Sequence, residues 1–272
     1  MLRGLLNRVE RQLWARRAHK VVLREWSALP DIASLADVLA TMRGRRRIEP
    51  LALDFPADRR ILVVAPHPDD EVIGPGGTLI GAIERGSSVH CVYLTSGAAE
   101  PSLAGTRENE ATEAAALVGY TTQFLRLQDL SDGVSATAQA QFEAAVNAQR
   151  PQLLFVPFLA DDHVEHQRAS ELLLRTFESD KLNCTPEVWA YQVYTAVLSN
   201  VVVDITDTQQ RKEQAIRTFA SQLRSRDWAH FAAGLAAYNS RALPGKDRRY
   251  AETFHVAPLA DYAALCRAYF QP

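Results

Sequence analysis

The feature that most constrains this chain is the stretch of residues 61–71, Ile-Leu-Val-Val-Ala-Pro-His-Pro-Asp-Asp-Glu. Its apolar start is short enough to be one buried strand. His67, Asp69 and Asp70 come directly after that strand, and open α/β sheets place their ligands at the carboxyl ends of their strands. Imidazole beside carboxylates suits a divalent metal ion, zinc above all. The stretch therefore predicts an α/β fold with a metal site at a strand end.

A second polar cluster follows another short apolar run. Residues 153–157, Leu-Leu-Phe-Val-Pro, indicate a further strand, and Asp161, Asp162, His163 and His166 follow it. A catalytic zinc site usually takes three protein ligands and keeps one position open, so the first cluster needs a partner. Parallel strands end at one edge of a sheet, and we therefore expect the two clusters to meet there.

The two histidines of this second cluster are placed alike. His163 and His166 lie three residues apart at a predicted helix start, and therefore on one face of that helix. A purely structural interpretation would make such residues turns and caps, and we expect Asp161 or Asp162 to cap the helix over 163–177. Two such clusters at two predicted strand ends favour a shared metal site instead.

The pattern after residue 60 alternates short apolar runs with helical stretches, which favours βαβ units. We predict an α/β fold, a Rossmann-like three-layer sandwich with a mostly parallel sheet. The domain is expected over residues 58–272, preceded by a basic helical arm over 1–57. The strands are expected at 61–65, 89–95, 122–125, 153–157, 188–193 and 201–205. The helices are expected at 78–85, 107–118, 138–149, 166–177, 209–222 and 228–242.

The predicted arm carries an amphipathic pattern over residues 1–26, with leucines at helical spacing and seven basic residues against two acidic ones. Such a helix can pack its apolar stripe on the domain or on a second subunit, which is the arrangement we expect. It can also lie on an anionic membrane surface. We accordingly predict a homo-oligomer, with peripheral membrane contact through residues 1–26 as the alternative.

Composition narrows the function classes. The formal net charge of −2 gives no support for nucleic-acid binding, which favours a basic domain. The three cysteines, Cys91, Cys184 and Cys266, have no metal or redox spacing and fit reduced thiols in a cytoplasmic protein. No apolar run approaches the ~20 residues that cross a bilayer.

Both clusters resemble motifs of the PIG-L or LmbE-like family of zinc-dependent N-acetylglucosamine deacetylases. Residues 66–71 resemble the family's His-Pro-Asp-Asp-Glu motif, and residues 162–166 resemble its second motif, usually His-Pro-Asp-His. The resemblance extends over roughly residues 58–256. Weaker matches lie at 95–97, 107–110, 125–129, 203–206, 212, 221–222 and 250–254.

The resemblance implies a role for each matching residue. His67, Asp70 and His166 would be the zinc ligands. Asp69 would be the general base toward a metal-bound water, and His163 would stabilise the oxyanion or protonate the amine. The substrate would be a small-molecule amino-sugar conjugate carrying an N-acetyl group.

Three further expectations follow from the family pattern. Arg107 and Asp129 are expected to bind sugar hydroxyls or a phosphate, with helix-terminal salt bridges as the alternative. Glu165 stands where the family usually has Asp, and is expected to orient a ligand histidine from outside the metal shell. Some members place an oxyanion-binding tyrosine before the second motif, where this chain has Ala160 and Asp161. A second oxyanion donor would have to come from elsewhere.

Two alternatives to N-deacetylation stay open from the sequence. One is an amidase of the same family that cleaves a different amide, such as a thiol conjugate. The other is a Rossmann-like module that binds a sugar nucleotide without catalysis. Metal content separates the second alternative from the enzymes.

Overall fold

The computed structural model describes residues 50–97, 101–128, 130–195, 197–245 and 247–271. The predicted amphipathic helix over residues 1–26 and the predicted substrate residue Asp129 lie outside the described residues. No helix in the described ranges is both long and apolar enough to span a membrane.

The described residues form one sheet of eight strands in the order β1-β7-β8-β6-β5-β2-β3-β4. Strand β8 runs antiparallel to its neighbours β6 and β7, while the other neighbouring pairs are parallel. The strands are β1 Leu51–Ala52, β2 Arg60–Ala65, β3 Ser88–Tyr93, β4 Thr121–Phe124, β5 Leu153–Pro157, β6 Glu187–Tyr191, β7 Val201–Asp204 and β8 Ala251–Pro258.

Helices cover both faces of this sheet. The side chains of β2 show the division, because Leu62 and Val64 enter one apolar core while Ile61, Val63 and Ala65 enter the other. The predicted three-layer α/β fold with a mostly parallel sheet is therefore confirmed. The helices are α1 Asp70–Ile73, α2 Gly76–Glu84, α3 Pro101–Val118, α4 Ala136–Gln149, α5 Val164–Glu178, α6 Gln209–Arg217, α7 Ala220–Leu223, α8 Trp228–Asn239 and α9 Leu259–Phe270, with a 3₁₀ turn at Ser240–Ala242.

The sequence-based prediction missed or misplaced several elements, most of them in the C-terminal third. Strand β8 was not predicted because Glu252 and His255, both buried, interrupt its apolar pattern. The helix predicted over 209–222 is divided into α6 and α7, since Phe219 leaves helical backbone angles and buries its ring. Strand β1 pairs with β7 and lies within the stretch predicted as the arm.

Two glycines allow the helices beside the first motif to approach the sheet closely. A Cβ atom on Gly74 would stand 2.5 Å from the ring of Tyr191, and one on Gly77 would stand 2.7 Å from Ile205. The segment between the two glycines joins α1, which carries the first motif, to α2. Larger residues at either position would push the motif away from the strand ends.

A buried ion pair between Lys212 and Glu252 also binds the segment that joins α1 to α2. The Glu252 carboxylate accepts the backbone N–H groups of Gly77 and Thr78, each at 2.8 Å. Lys212 Nζ donates to Glu252 Oε1 at 2.7 Å and to the Gly74 carbonyl at 2.9 Å. The pair therefore links α6 and β8 to the start of α2.

Lys212→Met is expected to destabilise the protein by about 3 kcal/mol or more, because removing one partner leaves a buried charge without compensation. Urea unfolding at neutral pH measures the loss. Arg211→Met is the matched control, since the adjacent Arg211–Glu84 pair is exposed and such pairs contribute about 0–1 kcal/mol. Equal losses in the two variants would contradict a structural role for the buried pair.

Candidate active site

The two motifs meet at the carboxyl ends of β2 and β5. Asp70 Oδ2 lies 3.2 Å from His67 Nδ1 and 3.2 Å from His166 Nε2, so the three predicted ligands surround one point. His163 is close as well, because ligand nitrogens of His67, His163 and His166 all lie within 4.8 Å of one another. The structure thus brings together residues that are separated by nearly a hundred positions in the sequence.

A carboxylate holds the far side of each candidate ligand histidine. His67 Nε2 contacts Glu165 Oε2, and His166 Nδ1 lies 3.1 Å from Asp161 Oδ1. Because a carboxylate favours a proton on the nitrogen that faces it, the neutral form of each histidine would present a lone pair toward Asp70, on His67 Nδ1 and on His166 Nε2. Metal-binding histidines usually have such an outer partner. Glu165 contacts His67 in this way, and its role in orienting a metal ligand stays a prediction.

The donor set fits a zinc ion. Ligands about 2.0–2.1 Å from a tetrahedral ion stand about 3.3 Å from one another, close to the two distances of 3.2 Å here. Asp70 Oδ1 is buried and has no hydrogen-bond partner among the described residues, and His166 Nε2 has Asp70 Oδ2 as its neighbour at 3.2 Å. A buried polar atom without a partner is costly, and a cation beside it would compensate that cost.

The same cluster shifts the pKa values of its members in the metal-free protein. Burial acts to lower the pKa of His67, but Asp70 and Glu165 outweigh it and raise the pKa to about 9. The pKa of His166 is raised by Asp70 and Asp161 against the same effect of burial. The pKa of Asp70 is lowered by the two histidines although burial opposes this. The cluster is therefore a compact group of opposite charges.

His163 differs from the other two histidines. It is the N-cap of α5, and its Nδ1 accepts the backbone N–H of Glu165 at 3.3 Å. The expectation that Asp161 or Asp162 caps this helix is wrong, because the Asp161 carboxylate is bound to His166 instead. Burial and the neighbouring His166 and His67 lower the pKa of His163. The lowered pKa favours the neutral imidazole, and the bond accepted at Nδ1 favours a proton on Nε2.

Asp69, the predicted general base, is held in an unusual backbone conformation, with φ 119° and ψ −26°. Its backbone N–H donates to Glu71 Oε2 at 3.0 Å, and Arg107 Nη2 lies 3.3 Å from its Oδ2. A non-glycine residue at positive φ costs about 1–3 kcal/mol and persists only where its surroundings hold it. Burial and the adjacent Asp70 raise the pKa of Asp69 to about 8.

Arg107 lies beneath this loop rather than along the open cleft. It is 6% exposed, and its guanidinium donates to the carbonyls of Gly97 and Pro68, the latter at 2.7 Å. Together with the contact to Asp69, these bonds give Arg107 a positioning role. The predicted contact of Arg107 with substrate stays a prediction.

Arg107→Lys is expected to lower kcat by about tenfold with little change in KM or bound metal, because a single ammonium group cannot hold two carbonyls and a carboxylate together. Steady-state kinetics with metal analysis measures both quantities. Arg168→Lys, at the outer face of α5, is the control. A rise in KM with unchanged kcat would instead support the substrate-binding role.

A cleft of about 410 Å³ opens beside the cluster. His67, His163 and Glu165 lie at its base, and the ends of β3 and β4 form its walls. The remaining lining residues are mostly small or polar, namely Thr95, Ser96, Gly97, Ala104, Arg126, Leu127 and Ser131. A small polar molecule could therefore reach the candidate metal ligands from solvent.

Sequence reasoning missed two residues of the site. Asp161 was expected only as a cap, yet it holds His166. Tyr194 was not singled out, and its ring stacks on that of His166 with centroids 5.3 Å apart and an interplanar angle of 14°. Burial raises the pKa of Tyr194 far above its usual range, so its hydroxyl stays protonated. Its position just after β6, at the same sheet edge, was the available signal.

Comparison with known proteins finds matches to the family that the motifs resemble. Residues 62–177 match the family model of PIG-L, described as GlcNAc-PI de-N-acetylase. A diacetylchitobiose deacetylase of Thermococcus kodakarensis is 24% identical over 226 residues, which cover 74% of this chain and 84% of that protein. The match covers residues 62–177, and over that stretch the family resemblance seen in the motifs is confirmed.

Solved structures support the same fold. N,N'-diacetylchitobiose deacetylase from Pyrococcus horikoshii is 26% identical, with a TM-score of 0.64 over 75% of this chain and 86% of that one. The hydratase GalB from Pseudomonas putida shares the fold at 19% identity, with a TM-score of 0.60 over 75% of this chain and 96% of that one. Because one fold carries both reactions, the reaction has to be argued from the site.

A shorter match concerns a glucosamine-6-phosphate deaminase-like protein of Bacteroides thetaiotaomicron, which is 48% identical over 42 residues. These residues cover 15% of this chain, and the chain spans only 6% of that protein's length. The match supports a local similarity and leaves the activity of the larger protein aside.

Proposed function

We propose that this protein is a zinc-dependent hydrolase that removes the N-acetyl group from an N-acetylglucosamine-type sugar or its conjugate. The observation that carries the proposal is the convergence of His67, Asp70 and His166 on one point, with an outer carboxylate behind each histidine. The relatives named above as deacetylases support the choice of an N-acetyl sugar.

His67, Asp70 and His166 would hold the ion. When bound, zinc lowers the pKa of water to about 7 and polarises carbonyl oxygens, which is the activation that an unreactive amide requires. Three ligands from the protein leave one position for other groups, the usual arrangement of a catalytic rather than a structural zinc site.

Asp69 would accept the proton of the attacking water. A nearby dication favours the ionised carboxylate, so the pKa of about 8 in the metal-free protein would fall when the ion binds. Arg107 and Glu71 hold Asp69 in place, and a fixed base needs no reorganisation during the reaction. Asp69 could then return its proton to the amine as the C–N bond breaks.

His163 would act as a hydrogen-bond donor. Its Nδ1 accepts a backbone N–H, so the proton on Nε2 is the one available to substrate in the adjacent cleft. A neutral imidazole can polarise a carbonyl oxygen and stabilise an oxyanion. Of the two roles that the family resemblance implies, the geometry favours oxyanion stabilisation over protonation of the amine.

Acetate release from purified zinc-loaded protein tests the proposal. The substrates are free N-acetylglucosamine, diacetylchitobiose, an N-acetylglucosamine glycoside, a nucleotide sugar and an N-acetylglucosaminyl phosphoinositide. A thiol-conjugate amide tests the alternative amidase. Turnover of an N-acetyl sugar that is lost in chelator and restored by zinc supports the proposal. Absence of bound zinc together with absence of turnover on every substrate would favour the non-catalytic module.

Zinc binding is expected to release protons and to weaken as the pH falls. His67 has a pKa of about 9 without metal, so at pH 7 it is protonated and must lose that proton to become a ligand. The apparent affinity should therefore rise about tenfold per pH unit between pH 6.5 and 8 for each proton displaced. Calorimetry in two buffers of different ionisation enthalpy counts the protons. An affinity that is constant over this range would contradict ligation by His67.

A further inference from the structure

Tyr194 is held rigidly at the edge of the candidate metal site. Its ring lies between His166, on which it stacks, and Trp228 of α8, whose centroid is 5.6 Å away. Its backbone N–H donates to Asp161 Oδ2 at 3.1 Å, while Asp161 Oδ1 holds His166 Nδ1. One carboxylate thus fixes both the tyrosine and the candidate ligand histidine, so their relative position is set.

The hydroxyl of Tyr194 differs from those of the other enclosed tyrosines. Tyr120 donates to Glu71 at 2.8 Å, Tyr191 to the carbonyl of Val64 at 2.8 Å, and Tyr262 bonds with Ser170 at 2.9 Å. The Tyr194 hydroxyl makes no hydrogen bond to any described residue, although its side chain is half-buried. A phenol in such a place normally finds a partner.

The surroundings of this hydroxyl indicate what its partner is. Its ring stacks on the candidate ligand His166, with centroids 5.3 Å apart, and the charges of Asp70 and Asp69 act on the phenol from the same site. The Nη1 and Nη2 groups of Arg107 are bound to the backbone carbonyls of Gly97 and Pro68. Ala160 and Asp161, just before the second motif, supply no side-chain donor, because alanine has no polar group and the Asp161 carboxylate accepts hydrogen bonds.

We infer that Tyr194 donates a hydrogen bond to the oxyanion that forms when water adds to the substrate amide, as a second donor beside His163. The inference rests on the proposed function. As the water oxygen bonds to the carbonyl carbon, the C=O π pair moves onto oxygen, and the two donors stabilise that charge. The pair then reforms C=O, the C–N bond breaks, and the nitrogen keeps its pair and takes the proton that Asp69 removed.

Tyr194→Phe tests the inference, because it keeps the ring stacked on His166 and removes only the hydroxyl. Loss of one oxyanion donor costs about 10²-fold or more in kcat, so we expect a fall of that order with KM and zinc content unchanged. Tyr238→Phe, at an exposed tyrosine of α8, is the matched control and should retain wild-type kinetics.

A second measurement does not depend on turnover. A phosphonamidate analogue of the N-acetyl group has a tetrahedral, negatively charged centre. Calorimetry should show that Tyr194→Phe binds this analogue more weakly than the wild type does, and the fold-change in affinity should be similar to the fold-change in kcat. The parent sugar lacking that group should bind both proteins equally.

The possible outcomes separate this inference from the proposed function. An active wild type with Tyr194→Phe unchanged in kcat and in analogue affinity would overturn the inference alone. Loss of zinc or a lowered Tm in Tyr194→Phe would also overturn it, by assigning the hydroxyl a structural role. A wild type without amidase activity on any substrate would instead reject the proposed function.

Discussion

Asp69→Asn is expected to lower kcat by at least ~10²-fold while zinc and substrate remain bound, as for loss of a general base. The substitution preserves the shape of the side chain and removes its capacity to accept a proton. Asparagine tolerates positive φ, so the strained backbone at this position is not the cause of any loss. The bond from the backbone N–H to Glu71 is retained as well.

Kinetics at pH 7–9 with metal analysis checks this prediction. Asp180→Asn is the matched control, because Asp180 also has a positive φ, of 57°, and is exposed on the surface. Turnover of Asp69→Asn near the wild-type value at neutral pH would remove Asp69 from the mechanism. Loss of zinc in this variant would show instead that Asp69 belongs to the metal site.

The positions of the motifs at strand ends could be predicted because the sequence pattern that indicates them is local. A short apolar run followed by His67 and Asp70 needs only the alternation of strand side chains and the parallel-sheet rule to predict where its ligands lie. The second motif after β5 follows the same logic. The order of the sheet did not have to be known, since any two parallel strand ends share one edge.

The contacts that orient those ligands were harder to predict, because they depend on packing between segments that are distant in the sequence. Asp161 turns toward His166 rather than capping the helix, and nothing in the local sequence distinguishes the two arrangements. Arg107 lies on α3 and reaches the Asp69 loop because the apolar face of α3 joins the core that also contains side chains of β2 and β3. Tyr194 depends on the path of the chain after β6. Residues that support a site are thus harder to predict than residues that form it.

The C-terminal third shows the same limit for the fold. Strand β8 is buried, but Glu252 points at the helix start of α2 and pairs with Lys212, which lies 40 residues earlier. A buried acid in a strand breaks the apolar pattern from which strands are predicted. Its partner becomes apparent only when the tertiary structure places the two side chains together.

His166→Ala is expected to reduce zinc affinity by more than ~10²-fold and to abolish activity. Loss of an outer partner of a ligand alone costs about 10–100-fold, and removing the ligand itself should cost more. His163→Ala is the matched control, because the two histidines lie three residues apart and both have nitrogens near the cluster. That variant should keep its zinc and lose turnover, since His163 Nδ1 is committed to the backbone of α5.

Competition with a chromophoric chelator measures both affinities, and circular dichroism confirms that each variant is folded. The comparison decides between two ligand sets that the geometry brings within reach, one with Asp70 beside His67 and His166, the other with three histidines. If His163→Ala and His166→Ala both lose zinc, the ion is held by the three histidines. If His166→Ala retains its zinc, both ligand sets are wrong. His166 would then be a buried ionised imidazole between Asp70 and Asp161, and Tyr194 would stack on a structural group rather than on a ligand.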